Sequence, residues 1–335
     1  MAKTAFATGD ALTKKLFEEK LYRDTRKESY FDRFMGESEN NIVQRNTSLK
    51  KSQGDAVTFG IAMRLTGSGV TSGQTLEGNE EKLTTYNHKP VLEQYRHAVR
   101  DNGALDRQRA MFSIDEISKA RLRDWGAEKI DKLLFTAVEA SPTKAFYGGS
   151  ATTTATLTAS DKLTPQLLSK TKAWAATGGN RAQTPLRPVK VDGKNYFVCL
   201  VHNDVAYDLS LDSTFLQARR EAEVRGKENP IFSGAYMIWD GVVVHTHENC
   251  SIATTYGAGS DVNGALCTFM GAQALVWAEG GKDGARPQVI SEEFDYGNEH
   301  GFAWEIIAKA SKPVFNSLDY GSVAIYVART KIADA

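Results

Sequence analysis

Several features are scarce in this sequence, and each scarcity excludes a class of protein. Its 335 residues include only three cysteines, without the paired spacing of a metal site, which argues against a disulfide framework and for a reducing compartment. No apolar run approaches the length of a membrane span, and the first residues lack the apolar segment of a signal peptide. The 41 basic and 41 acidic residues cancel, so no overall positive field favours nucleic-acid binding.

Chemistry-bearing residues are present, but their spacing matches no known catalytic or metal site. His245 and His247 fall on one face of a predicted strand beside Glu248, yet a third metal ligand at suitable spacing is missing. His202 and Asp204 imitate part of a hydrolase triad, but no nucleophile elbow accompanies them, so a loop or helix cap is the better interpretation. No phosphate-binding glycine motif follows a strand. The sequence therefore predicts no catalytic residue, no metal site and no cofactor.

The most distinctive stretch is a predicted β-hairpin over residues 56–99. Apolar and polar residues alternate on both sides of a glycine-rich segment that contains Gly67, Gly69 and Gly73. About seventeen residues at roughly 3.3 Å each reach about 55 Å, whereas a compact chain of this length has a radius of gyration of about 20 Å. A two-stranded ribbon is only marginally stable alone. We therefore expect another molecule to cover the hairpin, as in the subunit of an assembly.

A long helix is predicted directly after the hairpin, over residues 113–140. Ser113 and Glu116 match a capping box, and Pro142 ends the helix because the residue before a proline disfavours helical angles. The apolar residues fall in two stripes that are rotated around the axis, with Gly126 between them. This pattern is typical either of an ordinary core helix or of a spine that contacts different layers along its length.

The first 52 residues are rich in charges of both signs and poor in apolar side chains. A short amphipathic helix is predicted over residues 12–22, followed by the aromatic residues Phe31 and Phe34 and an extended polar segment over residues 42–51. A segment of this composition forms no core of its own, so we expect it to lie as an arm across another molecule. The alternative is that it packs on its own domain.

The remaining chain alternates between predicted helices and strands and indicates an α+β body. Asp192-Gly193 and Asp240-Gly241 supply the positive φ angles of tight hairpin turns. Further elements are predicted as helices over residues 160–178 and 212–223 and as strands over residues 266–277, 302–308, 313–315 and 322–327.

Six short phrases in a fixed order carry a family resemblance. They are Thr75-Leu-Glu-Gly-Asn-Glu-Glu81, Glu93-Gln-Tyr-Arg-His97, Asn229-Pro-Ile-Phe-Ser-Gly-Ala235, Asp240-Gly-Val-Val-Val-His245, Gly271-Ala-Gln-Ala-Leu275 and Asp295-Tyr-Gly297. Together they span most of the chain, which resembles the major capsid proteins of tailed bacteriophages in the N-four-like family. The resemblance implies the Hong Kong 97-type (HK97-like) capsid fold, an α+β architecture.

The resemblance also implies a division of the chain. It places an N-terminal arm at residues 1–52, an extended loop (the E-loop) at 53–101, and a peripheral (P) domain with the spine helix at 102–164. An axial (A) domain is expected at 165–255, with strands that return to the P-domain at 256–335. Assembly contacts are expected at Phe31, Phe34, Arg64, Gly67, Gly69, Gly73, Glu77, Glu80, Glu81 and Lys82. The acidic residues of this set would pair with basic side chains of a neighbouring subunit.

The function that the resemblance implies is structural and not enzymatic. Copies of the chain would form pentamers and hexamers of an icosahedral shell around double-stranded DNA, without sequence-specific binding and without a membrane, in the bacterial host cytoplasm. A separate scaffolding protein, a portal and a decoration protein are the expected partners. The close alternative is an encapsulin-type nanocompartment shell, and an alternative from another class is an oligomeric metal-dependent hydrolase.

Overall fold

Two β-sheets lie against one long helix in the chain. The structure is a computed structural model and describes residues 29–49, 54–63, 65, 67–110, 113–178, 185–221, 235–281 and 288–332. The α-helices within these residues are α1 (Ala104–Arg109), α2 (Ile114–Glu139), α3 (Pro165–Thr177), α4 (Asn203–Ser210) and α5 (Ser213–Glu221). No helix of these ranges is both long and apolar enough to cross a membrane.

The first sheet has six strands and collects segments from both ends of the chain. Its strands are β1 (Met35–Gly36), β2 (Val43–Leu49), β5 (Glu93–Arg100), β13 (Leu275–Gly280), β14 (Gln288–Phe294) and β15 (Glu299–Ser311). The order is β1-β2-β13-β15-β14, and β5 also pairs with β15. The long strand β15 therefore has three neighbours, and through β5 it brings the last part of the predicted hairpin into contact with the C-terminal third of the chain.

The second sheet has eight strands. They are β6 (Ala145–Tyr147), β7 (Val189–Val191), β8 (Lys194–Val201), β9 (Met237–Trp239), β10 (Val242–Thr246), β11 (Ile252–Tyr256), β12 (Val262–Met270) and β18 (Ser322–Ala328). The order is β6-β18-β12-β8-β10-β9, with β11 on β12 and β7 on β8. Strands β12 and β18 lie in the same sheet as β8 and β10, so this sheet extends beyond the residues of the predicted A-domain.

Two small antiparallel pairs complete the strand inventory of the described residues. These are β3 (Phe59–Ala62) with β4 (Thr85–His88), and β16 (Val314–Phe315) with β17 (Leu318–Asp319).

The predicted tight turns are confirmed. Asp192 and Gly193 have φ angles of 49° and 75°, and Asp240 and Gly241 have 46° and 75°. Both pairs connect short antiparallel strands, as expected for turns whose two central residues need positive φ.

Helix α2 has the predicted bounds and contacts both sheets. The hydroxyl of Ser113 accepts a hydrogen bond from the Glu116 amide and caps its first turn. Its 26 residues span about 39 Å. Buried side chains of the helix share one core with β8 and β10 of the second sheet and with β13 and β15 of the first. The interpretation of this helix as a spine that contacts different layers is confirmed.

The predicted hairpin over residues 56–99 is only partly correct. Its first part is a ribbon in which β3 pairs with β4, closed at its base by a bridge between Ala56 and Val91. Strand β5, which the prediction assigned to the same hairpin, instead pairs with β15. The alternation of Tyr95 and Val99 with exposed residues reflects their packing between this sheet and α2. Alternation identifies a covered face but not the partner strand.

The arm is also corrected in part. Residues 43–49 are extended as predicted, but they form β2 and pair with β13 of the same chain. Residues 29–49 therefore pack on their own subunit, which was the alternative interpretation. The helix predicted over residues 12–22 lies outside the described residues.

Candidate assembly surfaces

A buried carboxylate fixes the beginning of the described chain on α2. Asp131 is 7% exposed, and its side chain accepts three hydrogen bonds. The donors are the Ser29 hydroxyl at 2.6 Å, the Tyr30 amide at 2.8 Å and the Phe31 amide at 3.2 Å. A carboxylate that caps consecutive amides in this way holds the short 3₁₀ helix Tyr30–Phe34 against the spine. The arm and the spine helix are thus joined across about a hundred residues of sequence.

Phe31 and Phe34 lie in the core of their own subunit. They are 0% and 4% exposed. The Phe31 ring meets Phe135 of α2 with centroids 4.8 Å apart, and the Phe34 ring meets His245 of β10 at 5.2 Å. Neither side chain has surface left for another molecule, so the prediction that these two residues contact a neighbouring subunit is wrong. Aromatic residues in a polar segment do predict a contact, but here its partner is the same chain.

The two histidines considered as metal ligands also belong to this aromatic cluster. His245 is fully buried, and His247 lies 4.4 Å from the Tyr30 ring and 4.8 Å from the Phe135 ring, between centroids. Burial lowers the pKa of His247 below its ordinary value, so its ring stays neutral at neutral pH. Both imidazoles thus pack among the aromatic side chains of the arm and the spine helix.

A buried ion pair secures the next part of the arm. Arg45 of β2 and Glu279 of β13 form two hydrogen bonds of 2.7 and 2.6 Å, and their side chains are only 12% and 3% exposed. The indole of Trp277 donates to the same carboxylate at 2.8 Å. Bidentate geometry in a site with little water is where an arginine–carboxylate pair is strong. Strand β2 is therefore a fixed part of the sheet.

The ribbon formed by β3 and β4 has much weaker attachment to the body. Near its base, the His88 ring nitrogen Nε2 lies 2.7 Å from the Ser311 hydroxyl, and its ring packs against Phe315. A cleft of about 450 Å³ separates β3 from Val276, Pro313 and Tyr320. Beyond Met63, whose amide donates to the Thr84 carbonyl at 2.9 Å, no further backbone bond joins the two sides within the described residues. The backbone bonds across the ribbon are thus confined to β3, β4 and its base within the described residues.

The tip of the ribbon carries the other predicted contact residues. Glu77, Glu80, Glu81 and Lys82 are all exposed, as are the leucine side chains of Leu65, Leu76 and Leu83, at 56%, 67% and 56%. Gly69 and Gly73 have φ angles of 68° and 92°, a region that glycine adopts freely. The amide of Gly67 donates to Glu81 at 2.6 Å across the loop. Arg64 lies outside the described residues, and the intersubunit role of the set stays a prediction.

The remaining chemistry-bearing residues have structural roles. The ring of His202 accepts from the Asp204 amide and caps α4, as the sequence favoured, and Asp204 forms an ion pair with Arg329. Cys199, Cys250 and Cys267 are buried. Burial raises the pKa of Cys199 to about 12, so its thiol is not a nucleophile at neutral pH.

One cluster escaped the sequence analysis. Asp101, Asp115 and His300 bring three polar atoms together where the end of β5, the start of α2 and the start of β15 meet. The His300 amide donates to Asp101 at 2.6 Å, its ring lies 3.2 Å from Asp115, and Arg107 forms an ion pair with Asp101. Burial alone would raise the pKa of Asp101, but the hydrogen bonds from Arg107 and His300 hold it below its ordinary value. The cluster thus joins three elements electrostatically.

Comparison with known proteins agrees with this arrangement of arm, ribbon, spine and two sheets. The phage capsid protein family matches residues 5–141 and 139–330. The major capsid protein of Pseudomonas phage KPP25 is 28% identical over 372 aligned positions, covering 97% of each chain. The capsid protein of Ralstonia phage GP4 is 30% identical, with a TM-score of 0.83 and complete coverage of both chains.

The fold and these surfaces define a shell-forming protein with the HK97-like fold. Within that class the chain belongs to the phage capsid protein family, and its function is that of a phage major capsid protein. The encapsulin alternative corresponds to a more distant similarity. An encapsulin from Synechococcus elongatus shares 11% identity over 86% of this chain at a TM-score of 0.50, which shows the common fold alone.

Proposed function

We propose that copies of this chain form the pentamers and hexamers of a closed icosahedral shell, which encloses the double-stranded DNA genome of a tailed phage. The observation that supports this most strongly is end-to-end similarity to phage major capsid proteins, 97% of each chain in one case. A closed shell repeats the same interfaces around its symmetry axes, so many modest contacts add to a stable assembly.

The proposed division follows the sequence prediction, with the arm at 1–52, the E-loop at 53–101, the P-domain at 102–164, the A-domain at 165–255 and returning strands at 256–335. In this division the ribbon of β3 and β4 reaches over a neighbouring copy. Support comes from its exposed leucines and from its few contacts with its own body. Exposed apolar side chains on a poorly supported ribbon are a contact surface that a neighbouring copy would bury.

The acidic tip residues Glu77, Glu80 and Glu81 would meet basic side chains of that neighbour. Each exposed pair contributes about 0–1 kcal/mol. Their effect on assembly therefore depends on repetition around the shell more than on any single contact.

The partners follow from the task of building such a shell in the host cytoplasm. A separate scaffolding protein would set its size, a portal would admit DNA, and a decoration protein would bind the outer surface. The DNA would be held without sequence readout, which a subunit with zero formal net charge permits when basic groups face the interior. The subunit would carry no catalytic activity of its own.

Electron microscopy of the expressed full chain tests the proposal. We expect closed shells built of pentamers and hexamers, formed with the scaffolding protein of the same phage where the chain alone yields only capsomers. Particles from infected cells should contain nuclease-protected double-stranded DNA. Small discrete oligomers under both conditions, or shells that contain a cargo enzyme instead of DNA, would contradict it.

A further inference from the structure

The turn between β14 and β15 presents a tyrosine to solvent. Tyr296 has a relative exposure of 108%, the highest among the exposed large hydrophobic side chains of the described residues. Its neighbour Phe294 behaves differently, since its ring packs beneath the Arg100 guanidinium, whose carbon lies 4.1 Å from the ring centroid. The outward position of Tyr296 is therefore not a general property of this end of the sheet.

The backbone of this turn is strained at the tyrosine. Asp295, Tyr296 and Gly297 have successive φ angles of 48°, 54° and 84°. Glycine adopts this region freely and aspartate tolerates it, but a bulky side chain rarely does. Four-residue hairpin loops are usually built around a type I turn, whose central residues have negative φ. This turn departs from that form, and strain of this kind is concentrated at functional positions.

The strained turn is held in place by one asparagine. The Asn298 amide donates to the Asp295 carbonyl at 3.0 Å, and its side-chain nitrogen donates to the Asp295 carboxylate at 3.2 Å. Its side-chain oxygen accepts from the Ala104 amide at 3.1 Å, which ties the turn to the start of α1. Leu105, the next residue of α1, is itself 58% exposed. The turn and the helix start thus form one preorganised surface with two exposed apolar side chains.

We propose that Tyr296 is an assembly anchor whose ring packs against a second copy of this chain, beside Leu105 of that copy. A second copy is the expected partner of Tyr296 because every copy in a shell contacts other copies around rotation axes. Because Asn298 ties the turn of Tyr296 to the start of α1, where Leu105 lies, both side chains belong to one joined surface, and an axis beside that surface would place the ring of one copy against the leucine of the next.

Charge and chemistry favour the same partner. The end of β14 and the turn carry the exposed acidic residues Glu292, Glu293 and Asp295, whereas the Arg109 side chain at the end of α1 is 70% exposed, 3.6 Å from Asp106 of the same helix. The acidic turn of one copy would therefore approach the basic helix end of the next. Tyrosine is among the residues that dominate interface energy, since its ring is large, rigid and amphipathic. A ring presented in a fixed position also loses little entropy on binding.

The proposal rests on shell formation, and its test uses two full-length variants. Tyr296→Gly relieves the strain and removes the ring, whereas Tyr296→Phe keeps the aromatic contact and the backbone of the turn. We expect the melting temperature of unassembled Tyr296→Gly subunits to rise slightly, by about 2 °C. The same variant should need a concentration about tenfold or more above the wild type to assemble. Tyr296→Phe should assemble close to the wild type.

If Tyr296 is an assembly anchor, Tyr296→Gly should raise the melting temperature of the subunit and weaken its assembly. Assembly of Tyr296→Gly at the wild-type concentration would overturn the proposal. The proposed function would still stand in that case, provided that the wild type forms shells in the same experiment. Absence of shells from the wild type, both alone and with the scaffolding protein, would instead count against the proposed function. Reduced melting temperature in Tyr296→Gly would overturn the strain argument.

Discussion

Replacing Asp131 with alanine is expected to lower the free energy of unfolding of the unassembled subunit by about 3–5 kcal/mol. The carboxylate accepts hydrogen bonds from the Ser29 hydroxyl and from the amides of Tyr30 and Phe31. Alanine leaves these donors without their acceptor next to a fully buried Phe31, and each buried unsatisfied donor costs about 1–3 kcal/mol. Denaturant unfolding of the full-length chain, followed by circular dichroism, measures the loss.

Two matched variants make this prediction specific. Asp131→Asn keeps one acceptor oxygen at the same place and should lose about 1–3 kcal/mol, an intermediate value. Asp124 lies on the same helix with a side chain that is 45% exposed, next to Arg121, so Asp124→Ala should stay within about 0.5 kcal/mol of the wild type. Equal losses for Asp131→Ala and Asp124→Ala would show that the carboxylate does not hold the arm to the spine.

Gly126→Ala is the second change for which we expect a large effect. A β-carbon at this position would lie 2.7 Å from Cε2 and Nε1 of Trp304. Trp304 is fully buried and packs edge-to-face on Trp125, so its indole has no free space to enter. Alanine favours a helix over glycine by roughly 0.5–1 kcal/mol. Even so, we expect a net loss of about 1–3 kcal/mol from overpacking, measured by the same unfolding experiment.

A double-mutant cycle separates the clash from helix propensity. Trp304→Phe alone removes buried volume and should itself destabilise the subunit. If Gly126 is needed because of the indole, adding Gly126→Ala to Trp304→Phe should cost at least about 1 kcal/mol less than adding it to the wild type. Losses that add without coupling would mean that the close approach of α2 to β15 is not the reason for the glycine.

Local chemistry made several elements predictable from the sequence. The Asp192-Gly193 and Asp240-Gly241 turns, the Ser113 cap and the end of α3 at Gly178, which has a φ of 64°, all depend on residues within one turn of each other. Short-range constraints of this kind need no knowledge of the partner.

Long-range pairing could not be predicted in the same way. Strand β5 has the same alternation whether it pairs with β3 or with β15, and only the folded chain shows that Phe302 lies opposite Val99. Phe31 packs on α2, where its amide donates to Asp131, a hundred residues away. Composition cannot show a contact at this separation, and it therefore indicated an arm that lies across another molecule. The Asp101, Asp115 and His300 cluster likewise joins segments up to about two hundred residues apart. The capsid fold itself came from the resemblance of ordered phrases, not from periodicity.

Hydrogen exchange tests the central claim that the ribbon of β3 and β4 is ordered by neighbouring copies in a shell. In free subunits, amides of residues 67–83 should exchange rapidly, because the last described backbone bond across the ribbon joins Met63 and Thr84. After assembly their exchange should slow by about a hundredfold or more. Strand β18, buried in the second sheet, should be protected in both states. Equal exchange of residues 67–83 in subunits and shells would contradict the account.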